Sequence, residues 1–399
     1  MDQQKYLLTA VELDEEGTRH ALVLGASGSA RGLLGQYAER ADRATKEEEW
    51  ACRDSLCCLM ADESVPVNEQ ETAASMAEAT TFAGIAVRIL FARLHAGKKG
   101  ISVLPCDEKE HNGALLEENM IRCALLWNLG RDFLRWMTEE NAVCSTLQDC
   151  AEWLIEADEH AAALLPVDGS RGAVRLVRDL TPYRERRRLM LGGSSALLAA
   201  CAALCGIYRV GDAMRDDDIR GILARALTRV YLPVMPASLE DTLQYAAHVC
   251  SYLENTIGAE SWPVMGENLP SRLMSGVVPV LNTWMNKEGV LPAEAVFAIS
   301  AAVMLLSSCQ RTAEGTYELP GEDARRPVLD REAVLSAFSR MSCDMAPESL
   351  SYATLSDVEI WGCDLRELDG LEDAVANQLR DMQLLGVREA MRTAVTEEA

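Results

Sequence analysis

ISVLPCDEKEHNGALLEENMIRCA, Ile101 to Ala124, is the stretch on which the fold turns. Its opening, ISVLPCD, is a short apolar run rich in β-formers and reads as a buried parallel strand. The Asn112-Gly113 turn follows, and Gly113 opens a helical period that runs through Trp127. Immediately upstream, Phe82 to His95 has the period of an amphipathic helix and stops at the GKKG turn, 97–100. Helix, buried strand, turn and helix in that order predict an α/β layer.

Working outward toward the N-terminus, KYLLTAVEL (5–13) and RHALVL (19–24) flank the turn DEEGT and predict a hairpin. HALVLGASGSARGLLGQYAERA (20–41) then reads as strand, glycine turn and helix. The turn holds Gly25, Gly28 and Gly32, and the helical period from Leu33 to Ala41 extends to Met60. A dinucleotide cradle needs G-x-G-x-x-G or a close variant, with an acidic residue about 20 positions on to hold the ribose. Here Arg31 stands where the third glycine belongs, and Arg40 to Glu49 is a dense run of mixed charge. The glycines are better read as relief of turn strain. Toward the C-terminus, AVRLVRDL (173–180) reads as a strand. From Pro182 onward nearly everything has helical period, punctuated by Pro and Gly. The expected fold class is therefore α/β plus all-α. An incomplete Rossmann-like domain (1–180) precedes a larger, mostly helical domain (181–399).

Composition narrows the function. The chain has 399 residues, of which 49% are apolar, enough for two real cores. A net charge of −24 repels nucleic acid and anionic membranes, so neither is expected as a partner. SALLAACAALCGIY (195–208) and AVFAISAAVMLLSSC (295–309) are too short to span a bilayer and read as buried helices. No basic, apolar leader of the secretory type opens the chain, and its 13 cysteines lack zinc-site spacing. Buried reduced thiols in a cytoplasmic protein, with no metal, are expected.

ISVLPCDEKEHNGALLEENMIRCA resembles the strand, Pro-Cys-Asp, Asn-Gly and helix of the long-chain mannitol dehydrogenase and hexuronate reductase family, nearest its tagaturonate reductase (altronate oxidoreductase) branch. Further segments resemble that family in the same order. They are NAVCSTLQD (141–149), DLTPYRERRRLMLGGSSALL (179–198), LCGIYRVGDAMRD (204–216), YLPVM (231–235), NLPSRLMSGVVPVL (268–281), LPAEAVFAISAAV (291–303) and SDVEIWGCDLRELDGLEDAVANQL (356–379). The resemblance implies an NAD enzyme without a metal, interconverting a hydroxyl and a carbonyl on a linear sugar acid or polyol. It also implies a lysine as general acid/base, in a helix shared with an asparagine and a histidine. Hydride transfer to a carbonyl builds negative charge on oxygen, which a cationic proton donor and two hydrogen-bond donors stabilise.

Carried over by position, the catalytic lysine is Arg187, the asparagine Gly192 and the histidine Ser195. Arginine keeps its proton near neutral pH, glycine has no donor, and serine does not titrate. Among the substrate-gripping positions Arg272 replaces a lysine and Gly276 an arginine, while Asn112, Asp149 and Asn268 remain. Asp107 and Asn112 border the implied cofactor. Family members open with a Gly-x-Gly-x-Phe loop about two strands before the segment matched by KYLLTAVELDEEG. The glycine-rich loop is thus expected to be absent here, and MADESVPVNEQ (60–70) does not resemble the family's second cofactor turn. Other candidates have plain alternatives. His111 reads as a turn residue, RERRR (184–188) as a solvated face or a carboxylate site, and Asp149 as a site acid, helix cap or ion-pair partner. Three functions remain open: an NAD oxidoreductase with a replaced proton donor, a non-catalytic paralogue binding a sugar acid or a protein partner in a cleft between the domains, or a degenerate product. The sequence leaves the oligomeric state open.

Overall fold

A computed structural model describes residues 81–396, except 108, 151, 166–173, 236–237, 256–260, 314, 320–327 and 329. Before residue 81 it describes 8–13, 19–24, 38–43, 51–52, 56–61, 76 and 79. The chain divides into two compact units, Met1–Arg184 and Glu185–Ala399.

The first unit is a Rossmann-like α/β layer. Its six-stranded sheet has the order β3-β1-β2-β4-β5-β6. The strands are β1 (Leu8–Leu13), β2 (Arg19–Leu24), β3 (Ala38–Arg43), β4 (Leu56–Ala61), β5 (Ser102–Pro105) and β6 (Ala142–Val143). β1 and β2 form the expected antiparallel hairpin, Leu8 opposite Leu24. β2, β4, β5 and β6 run parallel. β5 is the buried parallel strand that ISVLPCD announced, with Val103 and Leu104 fully buried. Around it pack α1 (Phe82–His95), α2 (Asn112–Leu126) and α3 (Arg131–Glu139). A second, three-stranded sheet joins β7 (Thr146–Gln148), β8 (Trp153–Glu156) and β9 (Val174–Val177), with α4 (Glu159–Leu164) between β8 and β9.

The helix expected from Leu33 to Met60 is replaced at two places by strands, and among the described residues of that span Ala51 alone is helical. Ala38–Arg43 is a strand pairing antiparallel with β1, and Leu56–Ala61 is a strand between β2 and β5. An unbroken apolar run such as LCCLMA suits a two-face-buried strand as well as a helix, and sheet pairing outweighs a few tenths of a kcal/mol of helix propensity. α1 starts where expected, with Thr81 Oγ1 accepting the Gly84 N–H at 3.2 Å. It is buried around most of its circumference rather than along one stripe, Arg93 included. That guanidinium is held by the carbonyls of Ala51 and Lys99, at 3.2 and 2.9 Å. The glycine turn at 25–32 lies outside the described residues, as does nearly all of 60–70.

The second unit is helical. It comprises α5 (Thr181–Arg186, crossing the boundary), a π-helical turn (Arg187–Gly192), α6 (Gly193–Leu204), α7 (Val210–Ala213), α8 (Asp217–Arg225), a second π-helical turn (Ala226–Tyr231), α9 (Leu239–Asn255), α10 (Trp262–Met265), α11 (Leu269–Gly276), α12 (Val278–Glu288), α13 (Ala293–Ser307), α14 (Glu332–Phe338), α15 (Pro347–Leu355), α16 (Val358–Trp361), α17 (Leu371–Leu385) and α18 (Val387–Thr396). A two-stranded ladder, β10 (Gln310–Arg311) with β11 (Tyr317–Glu318), interrupts it. The two apolar stretches noted in the sequence are its core. Every residue from Glu294 to Ser307 in α13 is buried, as is every residue from Gly193 to Ala203 in α6. Burying Glu294 requires a partner, which Arg225 supplies at 2.9 Å. Among the described residues no helix is long and apolar enough to cross a membrane.

Candidate functional site

In the first unit, Asn112 and Asp107 stand beyond the carboxyl end of β5, the edge at which open α/β sheets bind ligands. His111 adopts the left-handed conformation (φ 53°), turning the chain so that Asn112 begins α2 with its side chain fully buried. The Asn112 amide Nδ2 donates to the carbonyls of Pro105 (3.1 Å), Asp107 (3.2 Å) and Thr146 (3.3 Å), and to Thr146 Oγ1 (3.4 Å). Its Oδ1 accepts from the N–H groups of Gly113 and Thr146, both at 3.0 Å. Gly113 is required next, because a Cβ there would lie 2.5 Å from the Ser145 nitrogen. Asn112 therefore clamps strand end, turn and β7, and its amide has no bonding capacity left for a ligand. Asp107 is half-buried and accepts the Lys109 N–H at 3.1 Å. A cofactor at this edge would thus meet backbone and the Asp107 carboxylate rather than the Asn112 amide. Asp149 is buried in the β7–β8 turn, where its carboxylate accepts the Cys150 N–H at 2.8 Å, so it stands at a strand turn and not at a helix start.

In the second unit, Arg187, Gly192 and Ser195 fall on the first π-helical turn and the start of α6. A π-turn bonds i to i+5, so residues five apart stack. In a plain α-helix they would diverge by about 140°. A Cβ built at Gly192 would lie 3.9 Å from the Arg187 backbone carbonyl oxygen, one π-turn earlier. Ser195, three residues on, continues the same face and is 7% exposed. The three positions thus lie on successive turns of one helical run.

The neighbouring arginines have separate duties. The Arg186 guanidinium lies 3.7 Å from the centre of the Tyr245 ring, and Arg188 Nη1 donates to the Ser275 carbonyl at 3.0 Å. That last bond reaches α11, whose N-terminal residues are the remaining candidates. Asn268 is left-handed (φ 55°) without a side-chain cap, and exposed Arg272 donates from Nε to the Glu267 carbonyl at 2.8 Å. Gly276, at the far end of α11, abuts Gly193. A Cβ at 276 would lie 2.7 Å from the Gly193 nitrogen, and one at 193 would lie 1.9 Å from the Tyr231 hydroxyl. Tyr231 closes the second π-turn, and burial pushes its phenol well above the usual range. Sequence reasoning saw Gly276 only as a missing arginine and did not single out Gly193, Tyr231 or Tyr245. The GG pair at 192–193 was the one available signal. Among the described residues no cluster of three or more His, Cys, Asp or Glu could hold a metal ion.

The mannitol dehydrogenase C-terminal domain matches residues 179–383. The chain belongs to the mannitol dehydrogenase family. It is similar to the altronate oxidoreductase of Yersinia pestis, 29% identical over a 352-residue alignment, with 79% of this chain and 71% of that protein covered. It is also similar to the altronate oxidoreductase of Bacillus subtilis (strain 168), 26% identical over 78% of this chain and 68% of the relative. Two solved structures share the fold at 16% identity. D-sorbitol dehydrogenase in substrate-free form has a TM-score of 0.62, covering 86% of this chain and 76% of its own. Pseudomonas fluorescens mannitol 2-dehydrogenase, in a ternary complex with NAD and D-mannitol, has a TM-score of 0.55, covering 99% and 84%. The family's Rossmann-like unit followed by a helical unit is the architecture described above.

Proposed function

We propose that this family member binds an open-chain sugar acid at the face formed by Arg187, Gly192 and Ser195, and that its proton-transfer apparatus is disarmed, so that hydroxyl–carbonyl interconversion is slow or absent. The supporting observation is that the run from the π-turn into α6 carries Arg187 and Ser195, whose side chains can hold an anion or a hydroxyl but cannot exchange a proton near neutral pH, with Gly192 adding no side chain between them. Residues 185–399 contain one lysine, Lys287, and one histidine, His248. Lys287 is exposed in the last turn of α12, and His248 sits on α9. Arginine suits the carboxylate of a sugar acid, which it can grip through two parallel N–H bonds. NAD, by analogy with the mannitol 2-dehydrogenase complex, would supply the hydride acceptor when bound. Calorimetry with D-tagaturonate, without and with NADH, tests the reading. Binding that is lost in Arg187→Ala at unchanged melting temperature supports it, and equal binding by both proteins refutes it.

A further inference from the structure

α17 and α18 are joined by one residue, Gly386, at φ 84° and ψ 158°, a backbone that is essentially reserved for glycine. Beside it, Leu384 is 75% exposed and Leu385 55%, and among the described residues no large apolar side chain is more exposed than Leu384. One residue earlier α17 is pinned, Gln383 Nε2 donating to the carbonyls of Cys343 and Met345 at 2.7 and 2.8 Å. The hinge is thus confined to 384–386. Beyond it, α18 is lightly seated on α8, α13 and α17. Among the described residues its buried side chains are Ala390, Met391 and Ala394, so Met391 is the one large apolar anchor. Beneath them lies a cavity of about 180 Å³, bordered by Val296 of α13 and Ala374 of α17. Gln378, which also borders it, donates from Nε2 to the Ala293 carbonyl at 2.9 Å and leaves its buried Oε1 without a hydrogen bond. What fixes α18 in place is a polar clasp. Arg392 Nε and Nη2 grip the Asp218 carboxylate at 2.8 and 3.0 Å, and Arg388 Nη1 holds Asp216 at 2.7 Å. Such a clasp forms equally well whether α18 belongs to the same chain or to another.

We propose that a second copy of this chain is the partner of this surface, and that the two copies exchange α18. Gly386 opens, α17 and α18 run on as one helix from Leu371 to Thr396, and each α18 takes the seat on α8, α13 and α17 of the other copy. The contacts of the seat are remade between copies, so they neither favour nor oppose exchange. The gain comes at the corner. Gly386 leaves its special backbone conformation for a helical one. The two opened hinges lie side by side at the twofold axis, where Leu384 and Leu385 of one copy cover those of the other. Opposing this, two chains of net charge −24 repel each other, a repulsion that salt screens over about 8 Å at physiological ionic strength.

The experiment mixes two variants of the full chain, Asp218→Arg and Arg392→Asp. Each alone sets like charges against each other in its own clasp, whether α18 stays at home or is exchanged with an identical copy. In the mixture, each seat finds its complement only on the other variant's α18. Light scattering after size exclusion, at physiological salt, should show about ten-fold more dimer in the equimolar mixture than in either variant alone. A mixture no more dimeric than its components overturns the proposal, as does a dimer formed equally by each variant alone, since a side-by-side pair has no need of the clasp. If either variant does not fold, Gly386→Ala decides. Alanine is strained in the closed hinge and favours the continuous helix, so the dimerisation constant should tighten about ten-fold relative to wild type. A constant equal to or weaker than that of wild type, or a variant that stays monomeric, overturns the exchange.

Discussion

Replacing Gly192, Gly193 and Gly276 by alanine, one at a time, should give opposite signs within two adjacent residues. At Gly276 the new Cβ would lie 2.7 Å from the Gly193 nitrogen and 2.8 Å from its Cα. Ordinary carbon contacts are about 3.5–4.0 Å, so α6 and α11 must separate by about 1 Å. Both obstacles are backbone, so no rotamer change relieves them. Overpacking of this kind costs about 1–3 kcal/mol, against about 0.5–1 kcal/mol returned by removing glycine from a helix. The net expectation is about 2 kcal/mol of destabilisation. Gly193→Ala meets the buried Tyr231 hydroxyl at 1.9 Å and should cost at least as much. Gly192→Ala meets nothing nearer than 3.9 Å in a helical backbone, so it should gain about 0.5–1 kcal/mol. For a unit of this size 1 kcal/mol moves Tm by about 2–4 °C, so calorimetric melts should show falls of about 4–8 °C at 193 and 276 and a rise of about 1–4 °C at 192. The double variant Gly193→Ala/Gly276→Ala should lose less than the sum, because both methyls oppose one contact. Equal shifts at 192 and 193, or an unshifted Gly276→Ala, would refute the close approach that seats α11 against the π-turn.

Two further outcomes follow from the clamps described above. Asn112→Ala removes the donor to the Pro105 and Asp107 carbonyls and the acceptor for the Thr146 N–H, leaving buried groups unpaired. It should cost about 2–4 kcal/mol in chemical denaturation, and a loss under 1 kcal/mol would contradict the clamp. At the C-terminus, Arg392 grips Asp218 through two bonds of 2.8 and 3.0 Å, and Arg388 holds Asp216 at 2.7 Å, tying α18 to the start of α8. The Arg392 hydrogen bond holds the Asp218 carboxyl below its usual range, so its stabilisation is present above about 4 and lost as pH falls. Asp218→Asn should lower Tm at pH 7 and change it little at pH 3, and an equal loss at both pH values would remove the ion pair from the account.

What the sequence made legible was what periodicity and turn residues encode. Ser102–Pro105 was visible because a β-forming run lay between GKKG and Asn-Gly, and Ala293–Ser307 because its apolar residues cover every side of the helix. Leu56–Ala61 was misread because a two-face-buried strand and a buried helix share one hydrophobic pattern. The π-turn at Arg187–Gly192 was invisible, since a one-residue slip in hydrogen bonding leaves no mark in composition. Asn112 was recognisable as special but not as a clamp, because its six bonds join residues up to 34 apart. Gly276 reads as a loss in one dimension and as a required close approach in three.

The central claim is that a family member has kept its binding face and lost its proton donor. The most direct measurement is NADH consumption with D-tagaturonate, under conditions where calorimetry detects the sugar acid bound. The account predicts no turnover above the uncatalysed background. Stoichiometric NADH oxidation at an ordinary enzymatic rate, about 1 s⁻¹ or faster, would contradict it.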